Sequence, residues 1–250
     1  MSFKYVLNEK YNNFKSDLLN IDKHFIKSSQ SIHKARNELR IAPINGLQTV
    51  IKAFKIPHII NRIVYAYFRD SKAKKSYQNG IKLIKRGVST PEPIGYIEHY
   101  TLGLFEKSYF LSTYEPYDFT IREALHHKLD DYKEVLEAFS IFTYDLHQKG
   151  VWHVDYSPGN ILIRKREEGY DFFIVDINRM VFRTISEYEG LENFNKLWAK
   201  DEDMEIMAKK YAELAELDIS TAISTAISHN QLHKDKIELK RKLKDKVKGK

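Results

Sequence analysis

The sequence predicts an α+β fold with two lobes, of which the first is small and β-rich and the second is mainly helical. Segments with strand and hairpin signals lie before residue 113, and helical periodicity dominates after residue 131. The 250 residues, 42% of them hydrophobic, are enough for one such domain. We place the first lobe at about 1–113, the second at about 114–231, and a basic tail at about 232–250.

Strand signals dominate the first lobe. β-Branched and alternating residues are bounded by short polar turns, and Asn45-Gly46 is typical of a tight hairpin. A helix-like run continues past Pro57, and a longer helix follows Ser71. The elements predicted in this lobe are a hairpin over 31–41 with its turn at 34–37, a strand over 49–54, helices over 54–68 and 71–86, and a strand over 109–113.

Helical periodicity dominates the second lobe. Apolar residues recur along 131–149 at the spacing of an amphipathic helix, which is predicted to end at Gly150. His147, near the end of this helix, is interpreted as a structural brace for the next loop, with a catalytic role as the alternative. The other elements predicted here are a hairpin of 160–164 with 172–175, helices over 118–128 and 186–217, and a terminal helix that carries Ser-Thr-Ala-Ile twice.

The loop at 153–160, His-Val-Asp-Tyr-Ser-Pro-Gly-Asn, carries the strongest chemical signal. Its spacing, H-x-D-x-x-x-x-N, is followed by an apolar strand that ends at Asp176, which is the order found in the catalytic part of kinase-like phosphotransferases. Asp155 is predicted to orient an acceptor hydroxyl and take up its proton. Asn160 and Asp176 offer hard oxygen ligands and are predicted to hold Mg²⁺ on the phosphates of ATP. The motif alone also arises by chance, and the hairpin between Asn160 and Asp176 favours the chemical interpretation.

A lysine within the strand at 49–54 is the candidate cation for the phosphates of ATP. Lys52 interrupts a β-branched run, as in the V-A-I-K strand of kinases. The alternatives are a solvated lysine on the outer face of the strand, or Lys55 in its place. The following helix, 71–86, contains no acid, and Gln78 occupies the position where a partner for Lys52 is expected. A neutral Gln would hold the ammonium more weakly than a carboxylate.

Two further parts of a nucleotide site are less distinct. No glycine-rich loop is present, so either Lys34 or Arg36 contacts phosphate from the first hairpin, or both are surface charges. The polar linker 114–116, which contains Glu115, is predicted to meet adenine through its backbone groups. The alternative is an ordinary strand end before Pro116.

These segments, in this order, resemble the lipopolysaccharide core kinases, the Kdo/heptose kinase family of Gram-negative bacteria, from about residue 32 to 180. The most specific segments are Ala35-Arg36-Asn37, Val50-Ile51-Lys52, the run 87–94, the loop 153–160, and Val175-Asp176-Ile177-Asn178-Arg179 in place of D-F-G. The resemblance implies a small protein-kinase-like fold that transfers the γ-phosphate of ATP to a sugar hydroxyl of the lipopolysaccharide inner core, at the cytoplasmic face of the inner membrane.

Carried over residue by residue, the resemblance gives the same roles to the motif residues. Asp155 matches the catalytic base of the family, Asn160 and Asp176 match its metal ligands, and Lys52 matches its phosphate-binding lysine. Gln78 departs from the acidic helix residue of the family.

Three other functions compete with this interpretation. A protein kinase is disfavoured because Ser157 and Val154 replace the lysine and arginine that such enzymes carry around the catalytic Asp. An aminoglycoside-type small-molecule kinase shares the Pro-Gly-Asn loop ending, but it would need an acidic acceptor pocket. A pseudokinase that acts as a binding module is favoured by the missing helix acid and glycines, and it is opposed by the presence of Asp155, Asn160 and Asp176.

Composition and charge limit the possible location of the protein and its possible partners. Cysteine is absent, which excludes disulfides and thiol chemistry and fits a reducing cytosol. Neither a signal peptide nor an apolar run near the ~20 residues needed to span a bilayer is found. We therefore expect a cytoplasmic protein with peripheral contact to the inner membrane.

The formal net charge of +7 is concentrated in the tail, where nine Lys/Arg and three acids give +6. The rest of the chain is expected to be near neutral, so nucleic acid is not an expected partner. Leu239, Leu243 and Val247 give the tail a thin apolar stripe. It is predicted to lie on anionic lipid, with a solvated terminal helix as the alternative.

Overall fold

The computed structural model describes residues 2–28, 30–34, 37–54 and 58–247. Contacts divide the chain into two compact units, Met1–Pro116 with Asp176–Arg179, and Tyr117–Val175 with Met180–Lys250. The first unit is built on a β-sheet, and the second is mainly helical, which confirms the predicted fold class.

The strands of the first unit are β1 (Ser2–Leu7), β2 (Gln30–Lys34), β3 (Asn37–Ile44), β4 (Leu47–Phe54), β5 (Pro93–Thr101) and β6 (Leu104–Thr113). They form one antiparallel sheet in the order β1-β5-β6-β4-β3-β2. Between β3 and β4, Asn45 (φ 51°) and Gly46 (φ 77°) both have positive φ, as a tight hairpin turn requires. The predicted hairpin and the strand that carries Lys52 are therefore confirmed.

Helices cover both faces of this sheet. The helices of the first unit are α1 (Lys15–Leu19), α2 (Ile21–Lys27), α3 (Ile59–Tyr67) and α4 (Lys72–Lys85). Successive side chains of a strand point to opposite faces, so Ile51 joins a core with Leu18 and Ile21, whereas Phe54 joins a core with Ala73 of α4. Lys52, two residues before Phe54, therefore lies on the α4 side of β4.

The sequence interpretation missed the N-terminal segment of this unit. Strand β1 pairs with β5 over Ser2–Leu7, and a 3₁₀ turn, Glu9–Phe14, leads into α1 and α2. The apolar spacing of this segment is short and interrupted, so no single helix or strand period is visible in it. Ala35 and Arg36 of the first hairpin turn, and Lys55, Ile56 and Pro57, lie outside the described residues, as does any phosphate contact of Lys34 or Arg36.

One amphipathic helix, α6 (Tyr132–Gln148), contributes much of the core of the second unit. The helices are α5 (Ile121–Leu125), α6 (Tyr132–Gln148), α7 (Glu187–Glu192), α8 (Asp201–Leu214) and α9 (Ile219–Val247). Phe139 of α6 is fully buried and stacks near Tyr156, Phe172 and Phe194. Helix α6 ends at Gly150 (φ 67°), where a Cβ would lie 3.0 Å from the carbonyl oxygen of Arg183. The predicted helix over 131–149 and its end are confirmed.

The second unit also contains five short strands: β7 (Phe119–Thr120), β8 (Val151–His153), β9 (Ile161–Lys165), β10 (Tyr170–Ile174) and β11 (Met180–Phe182). Strands β9 and β10 form the predicted hairpin, β7 pairs with β9, and β8 pairs with β11. The helix predicted over 118–128 is shorter, since α5 begins only after β7, where the Glu123 carboxylate accepts a hydrogen bond from the Thr120 N–H at 2.9 Å. The predicted 186–217 helix is divided into α7, a 3₁₀ turn (Asn193–Leu197) and α8.

The last helix, α9, includes both Ser-Thr-Ala-Ile repeats and most of the basic tail. Its first half is anchored, because Asn230 Nδ2 and Lys234 Nζ both donate to the carbonyl oxygen of Ala199, at 3.0 and 2.8 Å. Every described side chain from 235 to 246 is exposed. Across the described ranges, no helix combines the length and apolar character needed to cross a bilayer.

Candidate active site

The loop that follows β8 has a compact backbone. The Ser157 N–H donates to the Asp155 carbonyl oxygen at 2.7 Å, and the Asn160 N–H donates to the Ser157 carbonyl oxygen at 2.9 Å. Pro158 begins a 3₁₀ turn, where its fixed φ and missing N–H are tolerated. Asp155, the predicted base, is half-buried in this loop.

Asn160 is oriented by the same loop. Its Nδ2 donates to the Asp155 carbonyl oxygen at 2.8 Å, which turns the amide oxygen away from that carbonyl. An amide oxygen is the atom that a hard cation such as Mg²⁺ prefers. The structure thus brings Asp155 and Asn160 together within the loop.

His153 fixes the loop to the end of strand β10. Its Nδ1 accepts from the Asp155 N–H at 3.1 Å, so the ring proton lies on Nε2, which donates to the Val175 carbonyl oxygen at 2.9 Å. The Val175 N–H in turn donates to the Asn160 carbonyl oxygen at 2.9 Å. Both backbone groups of Val175 are bound to the loop, and Asp176 is the next residue in the chain.

A chain of buried hydrogen bonds supports this loop from behind. Asn193 Nδ2 donates to the His153 carbonyl oxygen at 3.1 Å, and Asn193 Oδ1 lies 3.1 Å from His147 Nε2. His147 Nδ1 lies 2.9 Å from the Tyr211 hydroxyl. Each buried group therefore has a partner when His147 is neutral, with its proton on Nε2. These contacts favour the structural role predicted for His147.

Burial lowers the pKa of His147 to about 4, since the protonated ring would be desolvated. Close packing explains why residue 190 is a glycine. A Cβ at this position would lie 1.9 Å from the Tyr211 hydroxyl oxygen and 2.8 Å from His147 Nδ1, so no side chain fits. Sequence reasoning missed Asn193 and also Lys196, whose Nζ donates to the Val154 carbonyl oxygen at 2.6 Å. Both lie about forty residues from the loop along the chain, so no local pattern marks them.

The first unit contains Lys52, the lysine predicted to contact the phosphates of ATP. Lys52 Nζ lies 2.5 Å from Asp176 Oδ1, and the lysine is only 8% exposed. Asn178 Nδ2 donates to the same Oδ1 at 2.5 Å. The structure thus joins Lys52 to Asp176, and neither Lys52 nor its charge lies on a solvated outer face of the strand.

Asp176 adopts an unusual backbone conformation, with φ of 55°. The left-handed region is tolerated by Asp and Asn better than by most residues, and a non-Gly residue there costs about 1 kcal/mol or more. Asn79 of α4 donates from Nδ2 to the Ile177 carbonyl oxygen at 2.7 Å, next to this position. Gly80 permits the close approach, because a Cβ there would lie 2.4 Å from Pro93 Cγ and 3.2 Å from Ile177 Cδ1.

The predicted pairing of Lys52 with Gln78 is wrong, because Gln78 is exposed. Helix α4 buries Ala73, Ser76, Gly80 and Leu83. At about 100° per residue, Gln78 is rotated some 200° from Ser76 and points away from the sheet. Its neighbour Asn79 makes the contact instead, to the backbone of Ile177 rather than to Lys52. The stripe of small buried residues is the signal that would have given the correct helical phase.

The linker after β6 is tied to the first unit by its backbone. The Thr113 N–H donates to the Glu92 carbonyl oxygen, and the Tyr114 N–H donates to the Gln48 carbonyl oxygen, both at 2.9 Å. Pro116 carries no N–H, and Glu115, between Tyr114 and Pro116, is half-buried. The Glu92 side chain is itself held by Tyr11, whose hydroxyl donates to Oε2 at 2.6 Å.

Comparison with solved structures identifies the fold. WaaP, solved in complex with acyl carrier protein, aligns with a TM-score of 0.62 and 12% identity, over 94% of this chain and 98% of that chain. A MAP kinase from Leishmania major aligns with a TM-score of 0.43 and 15% identity, over 77% of this chain and 59% of the kinase, so less than two thirds of that kinase is spanned. No protein-family model and no curated protein matches the sequence. The chain therefore has a protein-kinase-like fold, as predicted, and the resemblance given above is confirmed at the level of the fold.

Proposed function

We propose that this protein is an ATP- and Mg²⁺-dependent kinase that phosphorylates a sugar hydroxyl, of Kdo or heptose, in the lipopolysaccharide inner core. The observation that carries the proposal is the arrangement of 153–160. One loop holds the Asp155 backbone, fixes the Asn160 amide through its Nδ2, and binds both backbone groups of Val175, the residue before Asp176. A chance match to the motif would not require these three contacts together.

Asp155 acts on the acceptor. Its carboxylate accepts a hydrogen bond from the acceptor hydroxyl, which orients the oxygen toward phosphorus, and takes up the proton as the new O–P bond forms and the bond to ADP breaks. Half-burial suits this role, because the group stays accessible to a sugar while solvent competes less for it.

The side chains present fit a magnesium–nucleotide complex. Asn160 and Asp176 would hold the metal, which supplies charge neutralisation on the phosphates when bound. Lys52 Nζ, adjacent to Asp176, contributes a buried positive charge for the α/β-phosphates. Glu115 contributes its backbone to adenine. Without a charged partner from α4, Lys52 is positioned by Asp176 and by the strand.

The choice of acceptor rests on sequence and fold together. The motif segments resemble lipopolysaccharide core kinases, and the fold shared with WaaP covers 94% of this chain. Ser157 and Val154 replace the lysine and arginine of protein kinases, which argues against a peptide acceptor. An aminoglycoside-type acceptor is the second enzymatic candidate, since it uses the same loop ending.

A pseudokinase is the candidate from another functional class. It is favoured by the exposed Gln78, since α4 provides no charged partner for Lys52. It is disfavoured by the Lys52–Asp176 ion pair, which joins the two groups that phosphoryl transfer requires in this unit.

Purified protein, labelled ATP and a panel of acceptors test the proposal. The panel contains a Kdo- or heptose-containing core oligosaccharide, an aminoglycoside and a peptide mixture. We expect label on the core oligosaccharide, and Asp155→Asn should lower kcat by about 10²–10⁴ with ATP binding unchanged. Label on the aminoglycoside alone would replace the acceptor class. No transfer to any acceptor, with Mg-dependent ATP binding also absent, would establish the pseudokinase.

We propose that the protein works in the cytoplasm at the inner membrane, where its acceptor would be attached to lipid. The basic tail, residues 232–250, is one candidate contact with anionic lipid. In support, α9 continues through 247 and is exposed from 235 to 246, where basic side chains alternate with Leu239 and Leu243.

A further inference from the structure

An exposed apolar patch lies at one edge of the first unit. We call Ile63, Tyr67, Phe68 and Leu102 the α3 patch. Leu102 is 97% exposed, Phe68 82% and Tyr67 67%. Single exposed apolar side chains are ordinary on protein surfaces, whereas several adjacent ones mark an interaction site.

The members of the patch are adjacent and held in place. Ile63 and Tyr67 are four residues apart and share one face of α3, and the rings of Tyr67 and Phe68 lie 6.4 Å apart. The Tyr67 hydroxyl lies 3.3 Å from the position of a Cβ at Gly103, so the ring reaches the β5–β6 turn that carries Leu102.

The opposite side of α3 is fixed to the sheet. Arg62 Nε donates to the Phe105 carbonyl oxygen at 2.7 Å, and the rings of Tyr65 and Phe105 lie 5.5 Å apart. One face of α3 thus packs against the sheet, and the apolar residues of the opposite face are exposed. These residues stay exposed because a different face of the helix makes the contacts with the sheet.

The surroundings of the patch are strongly basic. Residues 58–75, which include α3 and the start of α4, contain five Lys/Arg and one acid, Asp70. Lys74 forms an ion pair with Asp70 at 2.7 Å, and Arg69, the residue after Phe68, is exposed with its guanidinium 5.8 Å from the centre of the Tyr65 ring. The near-neutral charge expected for the body of the chain is therefore an average that conceals a basic helix pair.

We propose that the α3 patch, with Arg69 and the lysines at the start of α4, binds the surface of an anionic lipid bilayer. Tyr, Phe and Leu beside Lys and Arg are the composition of membrane-interface segments, in which rings enter the headgroup region and basic groups meet lipid phosphates. Four apolar side chains are far fewer than the ~20–30 residues per side of a stable protein interface, which disfavours a second copy of this chain.

The choice of a membrane rests on the proposed function, since a lipid-attached sugar lies at a bilayer. The surface is distinct from the tail, because it belongs to the first unit and combines aromatic side chains with charge. It would bring the enzyme to its acceptor without membrane-spanning helices.

Co-sedimentation with vesicles tests this surface without ATP or acceptor. The probes are vesicles of phosphatidylglycerol with phosphatidylcholine, and vesicles of phosphatidylcholine alone. The double variant Phe68→Ser/Leu102→Ser should bind anionic vesicles about tenfold or more weakly than wild type, because two apolar side chains no longer enter the interface. Ile26→Ser is the matched control, as Ile26 is 76% exposed on α2, which packs on the other face of the sheet, and should bind as wild type does.

Two further variants separate charge and tail. Arg69→Glu should weaken binding to anionic vesicles only, and raised salt should do the same to wild type. Deletion of 235–250 retains the contacts of Asn230 and Lys234 with Ala199 and isolates the tail. If this deletion removes binding while the Phe68/Leu102 variant binds like wild type, the α3 patch is not a membrane surface.

Other outcomes separate this proposal from the proposed function. A wild-type dimer in sedimentation velocity that dissociates in the Phe68/Leu102 variant would assign the patch to self-association and overturn the proposal. Equal turnover of that variant and wild type on a short soluble acceptor is expected. Patch-dependent vesicle binding with no kinase activity in any protein would leave the membrane surface standing and remove the kinase.

Discussion

The loop at 153–160 and helix α4 are two regions of the molecule, one in each unit, that sequence reasoning predicted with different success. In the loop, the decisive contacts join residues two to five positions apart, such as Asn160 Nδ2 with the Asp155 carbonyl and the Asp155 N–H with His153. In α4, the decisive contact joins Asn79 with Ile177, 98 residues away. A motif whose residues contact one another can be recognised from the local sequence. Which side chain of a helix makes a contact depends instead on the residues against which the helix packs.

The two regions also differ in which residues position their polar and charged side chains. The loop positions Asp155 and Asn160 through hydrogen bonds among its own residues, and Asn193 and Lys196 support it by donating to the carbonyl oxygens of His153 and Val154. Helix α4 was expected to supply a partner for the Lys52 ammonium, and that partner is Asp176. Mutations of Lys52 and Asp176 should therefore weaken nucleotide binding strongly, and mutations in α4 should weaken it much less.

The largest effect expected in the first unit tests the metal assignment. Asp176→Asn removes the charge but keeps a residue that tolerates φ of 55°, so the chain should stay folded. Mg-dependent ATP binding measured by calorimetry should weaken about a hundredfold or more, and Lys52→Ala should cause a comparable loss.

Asp171→Asn is the matched control for this change. Asp171 pairs with Arg164 at 3.0 Å on the β9–β10 hairpin, outside the candidate site. Unchanged Mg·ATP binding in Asp176→Asn would show that the Lys52–Asp176 ion pair has a structural role and does not take part in nucleotide binding.

The support behind the loop should be visible in the pH dependence of stability. The pKa of buried His147 is about 4, below its ordinary value of 6.5, so the unfolded chain takes up a proton first as pH falls. The stability that neutral His147 contributes is complete above about pH 6.5 and decreases as pH falls toward about 4, by about 3 kcal/mol.

Urea unfolding at several pH values, for wild type and His147→Gln, measures this contribution. The variant should lose less stability than wild type between pH 6.5 and 4, because the titrating ring is gone. Parallel curves for the two proteins would show that His147 is not the group that titrates, and would weaken its assignment as a brace.

The smallest effects compare two neighbours on α4. Asn79→Ala removes the hydrogen bond to the Ile177 carbonyl, and we expect a loss of about 1 kcal/mol in stability and about fivefold in Mg·ATP affinity. Gln78→Ala and Gln78→Glu should each change stability by less than about 0.5 kcal/mol, since the side chain is exposed. A gain of activity in Gln78→Glu would restore the original pairing with Lys52 and contradict the helical phase seen here.

Local patterns were sufficient wherever one period or one turn governs a segment. The helix ending at Gly150, the β9–β10 hairpin and the Asn45-Gly46 turn each follow from residues within one element. The N-terminal segment was missed because β1 exists only through its pairing with β5, about ninety residues later. The 186–217 segment was predicted as helical, but its division into α7, a 3₁₀ turn and α8 was not, and it is this turn that supplies Asn193 to the loop.

The sequence by itself determined the α+β class, the strand that carries Lys52 and the loop that carries Asp155 and Asn160, because hydrophobic period and short-range hydrogen bonds depend on neighbouring residues. Only the tertiary structure decided that Lys52 pairs with Asp176, that Asn79 rather than Gln78 holds the adjacent backbone, and that Phe68 and Leu102 remain exposed. These outcomes depend on which face of each helix the sheet covers. Packing among residues far apart in the chain decides which face that is. Rotation of a helix about its axis then changes which of two neighbouring side chains faces the sheet.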